Sequence, residues 1–155
     1  MQPYILDKFD YFVTGMENFR KPKNIHVLVV DDNGMSRLLP GLILRPFGFN
    51  VHESFSVKDT IEILDRVDVS VVLVDINMPE TDGYEILKLI QSHPTSKPKK
   101  IIAYTADVTP AIEAEMQKKG FDAVLMKLLT SQNLFLVLRD FFPVQALLRS
   151  SKEAV

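Results

Sequence analysis

Cysteine and tryptophan are absent from the 155-residue chain. Without a thiol it can build no disulfide, thiolate zinc site, iron–sulfur cluster or cysteine nucleophile, and it tolerates a reducing compartment. It also lacks an excess of charge: 18 basic and 20 acidic side chains leave a formal -2. No global positive field therefore draws it to nucleic acid or to an anionic membrane. No apolar run approaches the roughly 18 residues needed to cross a bilayer. Asp7, Asp10 and Glu17 stand where a secretory signal would keep a clean apolar stretch. These absences lead us to expect a cytoplasmic protein whose partner is neither nucleic acid nor membrane. Glycine is sparse, at six residues, and Gly48 and Gly120 fall where helices should stop.

What is present suits one ordinary domain, with 46% hydrophobic and 25% charged residues. From about residue 24, two kinds of segment alternate. Ile25–Val30, Val69–Val74, Ile101–Tyr104 and Ala123–Met126 are short and continuously apolar, as strands buried on both faces are. Phe49–Ser54 is weaker and reads as an edge strand. Between them lie segments with helix-start signals: Ser56, Asp82-Gly83, Thr109-Pro110, and Ser131 before the run at Leu134. Five strands alternating with five helices imply a doubly wound α/β domain with a five-stranded parallel sheet and right-handed crossovers. In such sheets the ligand site lies beyond the carboxyl ends of the strands.

Those ends carry chemistry. The first strand runs into Asp31-Asp32, the third ends at Asp75, the fourth at Thr105 and the fifth at Lys127. Three carboxylates, a hydroxyl and an ammonium suit magnesium-dependent phosphoryl transfer, because hard oxygens hold Mg²⁺ while the ammonium and hydroxyl bond phosphoryl oxygens. Crowded carboxylates repel, so at least one pKa should rise and the cluster should attract a divalent cation or Lys127. Met78-Pro79 turns the chain after Asp75 and Gly83 opens the next helix, so we expect the Asp75 carboxylate to be exposed on a loop.

Val29-Val30-Asp31-Asp32-Asn33, Leu73-Val74-Asp75-Ile76-Asn77-Met78-Pro79-Glu80-Thr81-Asp82-Gly83, Ala103-Tyr104-Thr105-Ala106 and Met126-Lys127 resemble the receiver domain of two-component response regulators. The resemblance covers about residues 24–143 and implies the flavodoxin-like strand order 2-1-3-4-5. It implies that Asp75 is the phosphoacceptor, taking a phosphoryl group from a sensor histidine kinase or a histidine phosphotransfer protein. Asp31, Asp32, Asp75 and the backbone carbonyl of Asn77 would hold Mg²⁺ (or Mn²⁺). Lys127 and Thr105 would bond phosphoryl oxygens, and Asn77 and Asp107 match positions that tune phosphoryl lifetime. Asp31-Asp32-Asn33 with Arg37 is similar to receivers of hybrid kinases.

Three features depart from the family pattern. Leu128 follows the lysine where Pro is usual, so a trans bond and a shifted lysine are expected, since a cis bond before Leu costs about 2.5–4 kcal/mol. Val124 occupies a position that is commonly aromatic. Pro40, Gly41 and Pro46 fall within the first helix, for which a kinked or late start is expected. A degenerate receiver that docks partners without being phosphorylated is the alternative reading. A phosphohydrolase of the haloacid-dehalogenase type is a further one, although its Asp-x-Asp pattern meets Asn77 here and no cap insertion is present.

Other features carry plainer readings. His26, His52 and His93 show no ligand spacing and are expected to be structural or solvent-facing. Lys97-Pro98-Lys99-Lys100 reads as a solvated loop, and Asp82 as a helix cap. Before the domain, residues 1–23 place Ile5, Phe9, Phe12, Met16 and Phe19 at spacings of three and four, which describes an amphipathic helix. Such a helix either folds back on its own domain or serves as a homodimer or kinase-docking surface. Residues 144–155 form a tail expected to fray.

Overall fold

The computed structural model describes residues 24–141. Five parallel strands form one sheet in the order β2-β1-β3-β4-β5. The strands are β1 (His26–Val30), β2 (Asn50–Ser54), β3 (Val71–Asp75), β4 (Lys100–Thr105) and β5 (Ala123–Met126). The helices between and after them are α1 (Gly34–Leu44), α2 (Val57–Arg66), α3 (Gly83–Ser92), α4 (Pro110–Lys119) and α5 (Ser131–Val137). The expected fold class and strand order are thus observed. No helix among the described residues is long and apolar enough to cross a membrane.

Alternation along the strands divides the core into two layers. Leu28, Val30, Val72, Val74 and Ala103 meet Ile63, Leu64, Ile86, Leu87, Ile90 and Met116 of α2, α3 and α4 on one face. Val27, Val29, Leu73, Ile102 and Tyr104 meet Leu44, Leu134, Phe135 and Leu138 on the other, beneath α1 and α5. Strand β3 is buried at all five positions. Each Val or Leu so enclosed contributes roughly 1.5–3 kcal/mol. Helices of about ten residues are marginal alone, so this burial holds them.

Side-chain caps set where the helices begin. Ser56 accepts from Asp59 N, Asp82 from Tyr84 N and Thr109 from Ile112 N, as their types suggested. At α5 the cap is Thr130, which accepts from Asn133 N, and Ser131 is the first helical residue. That corrects the expected start by one position; two adjacent hydroxyl residues offer the same chemistry, and the backbone decides between them. Gly48 and Gly120 close their helices at φ 93 and 115, a region open to glycine at no steric cost.

The first helix corrects the late start, one of the two alternatives expected for it. It does not start late: Asn33 caps it by accepting from Ser36 N, and α1 runs from Gly34 through Pro40 to Leu44. Pro40 is buried there with Gly41 and Leu44, so packing outweighs its missing N–H. The break comes at the far end, where Arg45–Phe47 tightens into a 3-10 turn containing Pro46.

One glycine fixes the approach of helix to strand. A Cβ at Gly83 would lie 2.6 Å from Asp75 O and 2.8 Å from Ile76 Cα, both backbone atoms that cannot swing aside. Gly83→Ala should destabilise the fold by about 1–3 kcal/mol. Gly34→Ala, whose Cβ would meet only Arg37 Nη2 at 4.0 Å, should not. Urea denaturation of both variants checks this, and equal midpoints would contradict it.

Candidate functional site

Parallel register brings the strand ends to one edge of the sheet. Val30 pairs with both Ser54 and Val74, Asp75 with Tyr104, and Thr105 with Met126. Asp31 extends the first ladder, its N–H donating to Ser54 O at 3.0 Å. Lys127 follows β5, its N–H donating to Thr105 O at 2.6 Å.

The side chains meet there. Asp31 is fully buried and Asp75 is 2% exposed, and each turns one oxygen back on its own loop. Asn33 N donates to Asp31 Oδ1 at 2.8 Å and Asn77 N to Asp75 Oδ1 at 3.1 Å. Their other oxygens face one ammonium: Lys127 Nζ lies 3.0 Å from Asp31 Oδ2 and 3.1 Å from Asp75 Oδ2. Asp32 is exposed, and Asp31, Asp32 and Asp75 each offer an oxygen within 4.8 Å of the others.

Two expectations change here. The Asp75 carboxylate is buried at the strand end, because β3 continues through it and Lys127 covers it. The lysine is not displaced from the acids: Leu128 takes φ 65 and is 92% exposed, and the chain before it still directs Nζ between Asp31 and Asp75. No peptide bond among the described residues is cis.

Thr105 is 2% exposed, and its Oγ1 accepts from Asp107 N at 3.4 Å. Asn77 forms an isolated bridge with Asp82. Two clefts flank the cluster. One, of about 450 Å³, is lined by Asp32, Arg37, Phe55, Ser56 and Met78; the other, of about 380 Å³, by Asn77, Tyr84, Thr105, Asp107 and Met116.

Two residues that the sequence patterns include, Arg37 and Tyr104, take supporting roles that the patterns did not assign. Arg37 Nη1 donates to Asp31 O at 2.9 Å, and its Nε lies 3.6 Å from Glu53 Oε1, tying α1 to β2 behind the acid. Tyr104 lies beneath Lys127, whose Nζ is 5.4 Å from the ring centroid. Nothing local marks either role, which arises from neighbours distant in sequence. The histidines lie outside the site. His26 Nδ1 and His52 Nε2 are 2.9 Å apart across β1 and β2, while His93, 6% exposed, meets Asp65 Oδ1 at 2.9 Å and accepts from Ser96 N.

Burial raises the Asp31 carboxyl above its ordinary range; the Asn33 N–H and Lys127 oppose the rise, and the Asp75 charge adds to it. Burial, rather than repulsion alone, is thus the leading cause. Burial also works against the Lys127 ammonium, but its pairs with Asp31 and Asp75 win and hold it above the usual lysine value. The Tyr104 hydroxyl is pushed up to about 12 by burial and by the charges of Asp31 and Asp75.

Because Asp31 holds its proton more tightly when folded, the favourable term is complete below the ordinary carboxylate pKa. It is lost as pH rises through the folded value. Asp31→Asn removes that loss and leaves Asp75 to pair with Lys127. In metal-free buffer at pH 7 the variant should therefore melt higher than the parent. Calorimetry across pH should also give a flatter profile, and a lower melting point would reject the account.

The sequence pattern of the response regulator receiver domain matches residues 27–139. Over 102 residues the chain is 31% identical to the CAI-1 autoinducer sensor kinase/phosphatase CqsS of Vibrio cholerae; the match covers 65% of this chain and 15% of the kinase. Over 103 residues it is 31% identical to the two-component response regulator ORR11 of Oryza sativa subsp. japonica, covering 66% of this chain and 70% of the relative. The chain therefore spans a small part of the kinase and most of the plant regulator. Among solved structures, the chemotaxis protein CheY4 of Vibrio cholerae superposes with a TM-score of 0.68 at 23% identity, over 76% of this chain and 98% of the other.

Proposed function

The chain belongs to the response regulator receiver domain family of two-component signalling, and from that membership we propose that Asp75 accepts a phosphoryl group from a phosphohistidine. The donor is a sensor histidine kinase or a histidine phosphotransfer protein. The observation that carries the proposal is the convergence of Asp31, Asp32 and Asp75, with Lys127 Nζ within 3.1 Å of two of them.

In the reaction, an Asp75 carboxylate oxygen attacks phosphorus, the P–N bond to histidine breaks, and the imidazole leaves with its electron pair. The product is an aspartyl phosphate. Lys127 gives its ammonium to the transferred oxygens as the carboxylate becomes an acyl phosphate. Thr105 offers its hydroxyl from the adjacent strand end. Asp31 is held by Asn33 N and by Arg37 through its carbonyl, so it keeps its place while Lys127 shifts partners. The domain turns over no separate metabolite; it acts on its own phosphorylation and dephosphorylation.

The donor set fits a hard divalent cation. Three carboxylates outnumber one ammonium, and the fully buried Asp31 Oδ2 has Lys127 at ion-pair distance but no donor aligned on it for a hydrogen bond. Asp31, Asp32, Asp75 and the Asn77 carbonyl would hold Mg²⁺ or Mn²⁺, which when bound neutralises charge on the carboxylates and on the incoming phosphoryl oxygens.

A second reading keeps the fold and omits the chemistry. Val124 packs half-buried against the core where an aromatic is usual in the family, which favours docking without a phosphorylation switch. Intact mass after incubation with acetyl phosphate and Mg²⁺ separates the two. We expect an acid-labile phosphoryl adduct on the parent protein and none on Asp75→Asn. An unmodified parent that still binds Mg²⁺ would favour the docking module.

A further inference from the structure

Lys127 has far to reach. Its N–H donates to Thr105 O at the end of β4, and Leu125, two residues before it, pairs with Tyr104. Asp75 lies one strand further on, in β3, and Asp31 follows β1 beyond that. Neighbouring strands are about 4.8 Å apart, so Asp75 stands roughly 10 Å from the line of β5. A lysine stem extends only roughly 6 Å from its Cα. Ammonium and carboxylate therefore meet over β4.

The side chain that β4 sets under this crossing is Tyr104. It pairs with Asp75, so the two project from one face of the sheet, and it packs with Leu73, Ile102 and Leu125 in the buried layer there. At 1% exposure it is the largest fully buried side chain among the described residues. Lys127 Nζ lies 5.4 Å from its ring centroid, inside the roughly 6 Å over which an aromatic face attracts a cation. The residue after the lysine offers the stem no comparable support. Leu128 stands in the left-handed region at φ 65 with 92% of its surface in solvent.

We propose that Tyr104 is a positioning residue for phosphoryl transfer: its ring carries the Lys127 stem across β4 and holds the ammonium against Asp31 and Asp75. Attraction to a ring face has no single direction, unlike an N–H···O bond. Nζ can thus pass from a carboxylate oxygen to a phosphoryl oxygen without leaving the ring. The effect on rate rests on the function proposed above, whereas the hold on the ammonium does not.

Two readouts on the full chain keep those parts separate. The first is NMR of the Lys127 ammonium in metal-free buffer at low temperature, with the signal assigned by its loss in Lys127→Met. The parent and Tyr104→Phe, which keep the ring, should show ammonium protons in slow exchange with water, and Tyr104→Leu should not. The second is the initial rate of adduct formation from acetyl phosphate and Mg²⁺. Tyr104→Phe should stay within about twofold of the parent, and Tyr104→Leu should fall about tenfold. Ile102→Val, two residues back in the same strand and layer, should alter neither readout. Tyr104→Met replaces Tyr104→Leu if the latter loses the parent's circular dichroism. An ammonium signal missing from the parent or retained in Tyr104→Leu would overturn the proposal, as would equal losses in Tyr104→Phe or Ile102→Val. The expected ammonium pattern in a parent that forms no adduct would instead overturn phosphoryl transfer and uphold the hold on Lys127.

Discussion

The Lys127 ammonium between two buried carboxylates is the contact on which the site depends. Asp31 and Asp75 are almost wholly enclosed, and two anions in that setting repel each other and lose hydration. Nζ at 3.0 and 3.1 Å offsets both effects. The offset is incomplete, since Asp32 adds a third carboxylate and Asp31 remains raised. The site is thus held together while keeping negative charge and an unaligned buried oxygen, which is a condition that favours a divalent cation.

That contact exists only because the sheet is parallel and in register. Lys127 is 52 positions from Asp75 and 96 from Asp31 in the chain, yet the ladders of β1, β3, β4 and β5 stop at nearly the same level. Gly83 contributes by letting α3 approach the Asp75 carbonyl. Arg37 contributes by holding the Asp31 carbonyl from α1 and meeting Glu53 on the edge strand. Packing of two apolar layers and placement of four polar side chains are therefore one problem: a slip of a strand by one residue would exchange the faces of the core and part the lysine from its acids.

Much of this was legible beforehand, for identifiable reasons. Continuous Val and Ile runs can be buried on two sides only in a sheet covered by helices, so β1 and β3 were evident, and Ser56, Asp82 and Thr109 announce helices through side-chain oxygens. Where neighbours offer similar chemistry, as Thr130 and Ser131 do, the local signal is ambiguous. Pro40 was misleading because its intrinsic cost was visible while the burial that outweighs it was not. The expected exposure of Asp75 failed similarly: Pro79 and Gly83 mark a loop, but the strand persists through Asp75 before the loop begins.

The sequence by itself determined the kinds of element, their order and the residues that close each strand, because periodicity, caps and helix stops act over a few positions. Only the tertiary structure decided which of those residues touch. It buried Asp75, left Asp32 in solvent, carried Lys127 to both inner acids despite Leu128, and recruited Arg37 and Tyr104. The physical reason is range. Local preferences reach one helical turn, whereas charge pairing and desolvation depend on atoms brought together from opposite ends of the domain.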